Sequence, residues 1–308
     1  MPQVEKYVLS QEDTEQFDAI IQRRRDADNE QADEHTAQHG DQSTLHFASI
    51  SYEDARVADA QKEADQLIDM LIAAIQSFDP DEFADLVQSN QEKILQLSFV
   101  DPAIATLVVI GYRKGIQAGS GLCMHNLGAA YYMGSIVEQD YHKAAELYEL
   151  ACRHGFYLAY VNLGYIYEYG RLGTPEYKLA YQCYSLGALL AESAEAYYKL
   201  GDLFARGRFV QADPIVAREL WEKSLELADD PAIYAQPALR IAKSLIDEYA
   251  LDAGLTGDPM RALTLFQKAE IGLRIDIANG MEYYRGRLQE AIEGQEKARE
   301  LLEVETLR

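Results

Sequence analysis

Across residues 120–228 apolar and small side chains fall at the spacing of short amphipathic helices. Leu127 and Tyr131 lead into Gly134, and Ala144, Leu147, Tyr148 and Ala151 share one face at i, i+3, i+4 and i+7. The pattern then repeats. Leu127-Gly128, Leu163-Gly164 and Leu200-Gly201 recur at steps of 36 and 37, and Gly134, Gly170 and Gly207 follow each Leu by seven residues. Ala144, Ala180 and Ala217, then Tyr148, Tyr184 and Trp221, keep the same step. Several position classes on one period predict an array of helix hairpins. The Gly beside each Leu removes a side chain where two helices approach, and the later Gly offers the left-handed backbone that stops the first helix. Asp140, Pro175 and Asp213-Pro214 are placed to restart the second helix.

The pattern continues in diluted form on both sides. Ala262, Phe266 and Ala269 reproduce a second helix, preceded by a first helix over 235–253 with Ile241-Ala242 in place of Leu-Gly and an insert around 254–258. Ala298 and Leu302 lie one further step on, in a long terminal helix that caps the array. Upstream, Tyr112 and Gly119 make 102–118 a second helix, 80–97 its first helix, and 54–78 another amphipathic helix carrying Ala64, Leu67, Ile68, Leu71, Ile72 and Ile75. Residues 23–49 are polar and charge-dense, which predicts a frayed helix and a mobile connection. The expected organisation is therefore a polar, acidic N-terminal segment, partly helical or mobile, over 1–52, and N-terminal helices with a degenerate repeat over 53–119. Three clear repeats follow over 120–228, then a degenerate repeat with a capping helix over 229–308.

Charge narrows the partners. The net charge is -23, and residues 1–101 hold 23 acidic against 7 basic side chains. A field of that sign repels phosphate backbones and anionic membranes, so neither nucleic acid nor a membrane surface is an expected partner. The N-terminus lacks the basic start and apolar stretch of a secretory signal, and no apolar run reaches the length of a span. Cys123, Cys152 and Cys183, an odd number 29 and 31 residues apart, fit neither a disulfide framework nor a metal knuckle. Cys152 and Cys183 are read as buried packing residues, and the cysteine usage as that of a reducing cytoplasm.

The segments Asn126 to Gly134 with Asp140 to Ala151, Ala159 to Gly170 with Lys178 to Ala188, and Ala196 to Gly207 with Asp213 to Ser224 resemble the Sel1-like repeat, a variant of the tetratricopeptide repeat. The resemblance implies an all-α fold, a right-handed α-α superhelix built as a solenoid of antiparallel helix hairpins, with the first helix of each pair on the concave side. It also implies an adaptor and not a catalyst. A secreted branch of the family ties helices with disulfides, one Cys standing where Cys152 stands and its partner eight residues later; here that position is Tyr160.

Carrying the concave positions of such repeats onto this chain selects His125, Ala129, Tyr132 and Met133, then Val161, Tyr165, Glu168 and Tyr169, then Tyr198, Asp202, Ala205 and Arg206, and finally Leu239, Lys243, Ile246 and Asp247. The chemically expressive members (His125, Tyr132, Tyr165, Glu168, Tyr169, Tyr198, Asp202, Arg206 and Lys243) form the expected partner-binding groove. Tyrosine offers a stiff contact face with a hydroxyl that bonds a peptide backbone. Fourteen of the 21 tyrosines lie between Tyr131 and Tyr198, and Tyr131, Tyr148, Tyr167 and Tyr184, at consensus positions, are read as packing residues. On this reading Tyr165, Tyr169 and Tyr198 point away from the core and are dispensable for folding.

His35, His39, Asp41 and His46 could be drawn together as metal ligands, but the segment is polar and has no rigid support, so a solvated linker is expected and no metal or cofactor is assigned. No nucleotide-binding loop, nucleophile elbow or zinc-protease motif occurs. The expected function is a non-catalytic protein–protein interaction scaffold receiving a peptide or helix of an unidentified protein. The alternative is an enzyme or small-molecule sensor using Glu168, Asp202, Arg206 and Lys243, and a third possibility has the acidic N-terminal helices occupying the groove themselves.

Overall fold

The computed structural model describes residues 5–38, 52–247 and 256–306, and among these every regular element is helical. The fold is an all-α helical repeat. The chain divides into two compact units, Met1–Phe156 and Tyr157–Arg308.

Unit 1 holds α1 (Gln11–Gln38), α2 (Tyr52–Gln76), α3 (Pro80–Ser89), α4 (Gln91–Leu97) and α5 (Ala103–Gln117). The first clear hairpin follows, α6 (Gly121–Met133) and α7 (Tyr141–Arg153). The apolar stripe of α2 is buried as its spacing predicts, with Ala64, Leu67, Ile68, Leu71 and Ile75 in the core, and α2 packs on α5, which buries Ile104, Leu107, Val108 and Ile110. The single helix expected over 80–97 is two. Asn90 interrupts it, its side-chain amide donating to the Leu86 carbonyl at 2.8 Å, the local competition with the helix ladder at which Asn excels. The polar α1 runs unbroken to Gln38 and is fastened by charge: Arg23 pairs with Asp101 at 2.7 Å, Arg24 with Asp65 and Asp69, and Arg113 with Asp13. Arg23 and Arg24 thus pair beyond their own helix. A 3-10 turn over Glu5–Tyr7 also docks, Lys6 and Tyr7 both donating to Glu146 of α7.

Unit 2 holds three hairpins: α8 (Ala159–Glu168) with α9 (Tyr177–Ala191), α10 (Ala194–Arg206) with α11 (Pro214–Leu227), and α12 (Pro231–Ile246) with α13 (Pro259–Ala278). A 3-10 turn, Glu282–Tyr284, leads into the last helix, α14 (Arg285–Thr306), which packs on α13. The consensus aromatics fill the hairpins: Tyr184 is wholly buried and Trp221 nearly so. A Cβ on Gly164 would stand 2.4 Å from the Tyr184 ring, and one on Gly201 would stand 2.4 Å from Trp221 Nε1, so the Leu-Gly pair is the seat of the following helix's aromatic. Gly207 (φ 62°) ends α10 as Gly134 (φ 67°) ends α6. Asp213 caps α11 through the Ile215 and Val216 amides, whereas Pro175 stands ahead of α9, whose cap is Glu176.

Candidate functional site

The residue before each Leu of the repeat is Asn126, Asn162 and Lys199, and before Ile241 it is Arg240. The last two organise the interior of unit 2. Lys199 is almost fully buried and sits 2.5 Å from Glu168 Oε2 on the preceding first helix, within an aromatic enclosure formed by Tyr165, Tyr169, Tyr184 and Tyr198. Its ammonium also donates to the Tyr169 hydroxyl at 3.1 Å. Glu168 accepts from Tyr184 at 2.8 Å and from Arg208 at 3.3 Å. One repeat later the arrangement recurs with stronger partners. Arg240 grips Asp202 in a two-pronged contact, Nη2 to Oδ2 at 2.7 Å and Nε to Oδ1, while Trp221 Nε1 donates to Oδ1 at 3.2 Å. In each rung a cation one position before the repeat's Leu200 or its counterpart Ile241 reaches an acid on the previous first helix.

A second chain of contacts links these rungs. The Tyr165 hydroxyl donates to Glu195 at 2.5 Å and lies 2.7 Å from the Tyr198 hydroxyl, and Arg240 lies over the Tyr198 ring. Burial pushes Tyr165, Tyr184 and Tyr198 well above the ordinary tyrosine value, with neighbouring carboxylates adding to the effect. Burial likewise raises Glu195. For Asp202 burial acts in the same direction, but the charge and hydrogen bonds of Arg240 outweigh it and hold the carboxyl below its usual value.

The nine groove candidates therefore meet different fates. His125 and Tyr132 belong to unit 1: His125 packs beside Tyr148 and Phe156, where burial lowers its pKa, and Tyr132 meets Tyr141 edge-on. In unit 2, Glu168, Tyr198 and Asp202 are buried, and Tyr165 is hydrogen-bonded among them. Tyr165 and Tyr198 do not point away from the core as expected: Tyr198 is buried, and the two hydroxyls meet between helices α8 and α10. Tyr169, Arg206 and Lys243 are the members that stay exposed. Arg206 and Lys243 border a cavity of about 350 Å³ between α10, α11, α12 and α14, with Arg240 and Arg287 also in its wall. The key residues that concave-position mapping misses are Lys199, Arg240, Glu195 and Arg287. The first two were signalled by the change from Asn to a cation at the position before the Leu. Of the suggested metal ligands, His39, Asp41 and His46 lie outside the described residues, as does the side chain of His35.

The Sel1 repeat family model matches residues 121–156, 158–191, 194–229 and 244–270. The first three matches coincide with hairpins α6/α7, α8/α9 and α10/α11. A solved Sel1 repeat protein from Oxalobacter formigenes superposes with a TM-score of 0.53 at 21% identity, over 81% of this chain and 98% of that one. A protective antigen of uropathogenic Escherichia coli displaying an SLR fold, c5321, aligns at 18% identity and a TM-score of 0.40, over 80% of this chain and 65% of that one. No curated protein matches the sequence. The chain thus carries four matches to the Sel1 repeat within residues 121–270, the first three on the hairpins α6/α7, α8/α9 and α10/α11, and it shares the fold of the Oxalobacter Sel1 repeat structure.

Proposed function

We propose that the chain is a non-catalytic interaction scaffold of a reducing, cytoplasmic compartment, which binds a peptide or helix of another protein along the first-helix face of unit 2. Sel1 repeats generally serve as protein-interaction scaffolds. The observation that carries the reading is the pair of buried rungs, Lys199 with Glu168 and Arg240 with Asp202. They hold α8, α10 and α12 in fixed succession, so a partner meets a face that needs little ordering, and binding to such a face loses less entropy. Tyr169, Arg206 and Lys243 remain outward as contacts. The compartment rests on Cys123, Cys152 and Cys183, all buried and none in a disulfide, with burial raising the first two thiols to about 11 and about 12. The alternative reading, an enzyme or small-molecule sensor, draws its support from the cavity, whose volume is at the small end of the range for ligand sites.

The test is chemical cross-linking of the full chain in its native extract, with an Arg206→Ala, Lys243→Ala double variant at two exposed positions and an exposed α11 control, Lys223→Ala. The double variant is expected to melt near the wild type, since an exposed pair such as Lys243 with Glu290 contributes at most about 1 kcal/mol. It should lose most cross-linked partner while the control keeps it. Equal capture by all three proteins would move the binding surface off this face.

A further inference from the structure

The cavity beside α12 is cationic in a chain of net charge -23. Arg206, Arg240, Lys243 and Arg287 line it against three carboxylates, Asp202, Asp247 and Glu290. Two of the cations are committed: Arg240 holds Asp202 with two prongs, and Lys243 meets Glu290 at 2.9 Å. The other two are not. Arg206 stands 3.8 Å from the Asp202 oxygen that already accepts from Arg240 at 2.7 Å. Arg287 donates to a neutral acceptor, Gln236 Oε1, and lies over the Tyr284 ring.

Gln236 shows how firmly that second guanidinium is placed. Its Oε1 accepts from Arg240 at 3.2 Å and from Arg287 as well, so two like charges converge on one amide oxygen. The amide cannot be turned over, because its NH2 would then face two donors. Gln236 Nε2 is left buried without an acceptor, an unfavourable arrangement that the fold tolerates at the foot of the two arginines. A planar fork that keeps donors to spare suits a planar carboxylate. The rest of the wall includes Ala205, Pro214 and Leu239, which suit methylene and methyl groups.

We infer that this cavity receives a side-chain carboxylate, borne on a partner segment with apolar neighbours, and that Arg287 and Arg206 are its binding cations. The inference rests on the scaffold reading and gives the partner its chemistry: one acidic side chain between apolar ones. The lining carries a single net positive charge, and Asp247 and Glu290 oppose a second anion, so one carboxylate is favoured over an acidic run.

The probe is acetyl-Leu-Glu-Leu-amide, titrated into the full chain while the arginine Nε–Hε NMR signals are followed, with Arg287→Gln and Arg206→Gln assigning them. The Glu peptide should shift the Arg287 and Arg206 signals, and its Gln counterpart should bind about tenfold more weakly, the loss of one charge-assisted contact. Arg287→Gln should lower affinity by a similar factor. If that variant unfolds, Arg206→Gln, at a half-exposed position, should still weaken binding severalfold. Absence of shifts, or equal binding of Glu and Gln peptides, overturns the inference. Acetate binding as tightly as the peptide would make the cavity a small-anion site, and preference for a phosphoserine peptide would replace the carboxylate; either result also overturns it. No natural partner is needed, so the two readings fail separately. Probe binding without partner capture sinks the scaffold alone, and capture without probe binding sinks the carboxylate site alone.

Discussion

The two units bury polar groups in different ways. Among the described residues of unit 1 the buried charges are Asp13 and Asp101, both at helix starts. Asp13 caps with Ser10 and pairs with Arg113; Asp101 accepts from the Ala103 amide and pairs with Arg23. Between the helices its core is apolar, with Ile68, Leu71, Ile104 and Leu107 wholly inside beside Phe83 and Tyr148. Unit 2 buries Glu168, Lys199 and Asp202 within the helices themselves and joins them across successive repeats. Apolar contact is non-directional and tolerates repacking, whereas a buried ion pair is favourable only with its partner in place. Unit 1 should therefore absorb conservative core changes that unit 2, at its rungs, should not.

The largest expected effect breaks a rung. Glu168→Gln leaves Lys199 charged and buried without its carboxylate, and should cost about 3 to 5 kcal/mol in urea denaturation. Replacing both partners with apolar residues, Glu168→Leu with Lys199→Met, should restore most of that loss. Ile104→Val in unit 1 should cost only about 0.5 to 1.5 kcal/mol. If Glu168→Gln costs no more than Ile104→Val, the rung is not what fixes unit 2.

The Leu-Gly seats grade the same contrast. A Cβ would meet Tyr184 at 2.4 Å from Gly164 and Trp221 at 2.4 Å from Gly201, but Tyr148 only at 3.0 Å from Gly128 in unit 1. Gly164→Ala and Gly201→Ala should each cost about 1 to 3 kcal/mol by overpacking, and Gly128→Ala less. Gly201→Ala should be the worst, since displacing Trp221 also disturbs its hydrogen bond to Asp202. Melting temperatures in the reverse order would refute the packing argument.

The repeat was legible because period, glycine stops and aromatic seats are all local features, and Gly134, Gly207, Tyr184 and Trp221 stand where their spacing puts them. The polar interior was not. Mapping of concave positions treats each first helix as one exposed stripe, yet in unit 2 Tyr198 and Asp202 are shared between successive repeats, and a pairing across 38 residues, such as Arg240 with Asp202, leaves no periodic trace. The trace it did leave was substitution at one register position, Asn126 and Asn162 giving way to Lys199 and Arg240. The break of the 80–97 helix at Asn90 was similarly hidden, since it depends on one side chain bonding its own turn.

The smallest expected effect concerns Glu195, and it sharpens the contrast by pH. Burial raises its pKa, while the Tyr165 hydroxyl and the charge of Lys199 only partly oppose that. A carboxyl whose folded pKa lies above its unfolded value stabilises most below the unfolded value, and that contribution is lost as pH rises through the folded one. Asp202 behaves oppositely: its folded pKa is depressed, so its contribution is present above the ordinary Asp value and is lost as pH falls through the lower folded value. Glu195→Gln keeps an oxygen to accept from Tyr165 and removes the titration. The urea midpoint of the variant should therefore gain on the wild type as pH rises from below the ordinary glutamate value toward neutrality, by less than either earlier substitution shifts it. Parallel pH profiles for the two proteins would mean that Glu195 titrates alike folded and unfolded, and that the Tyr165–Tyr198 contact shields no carboxylate at all.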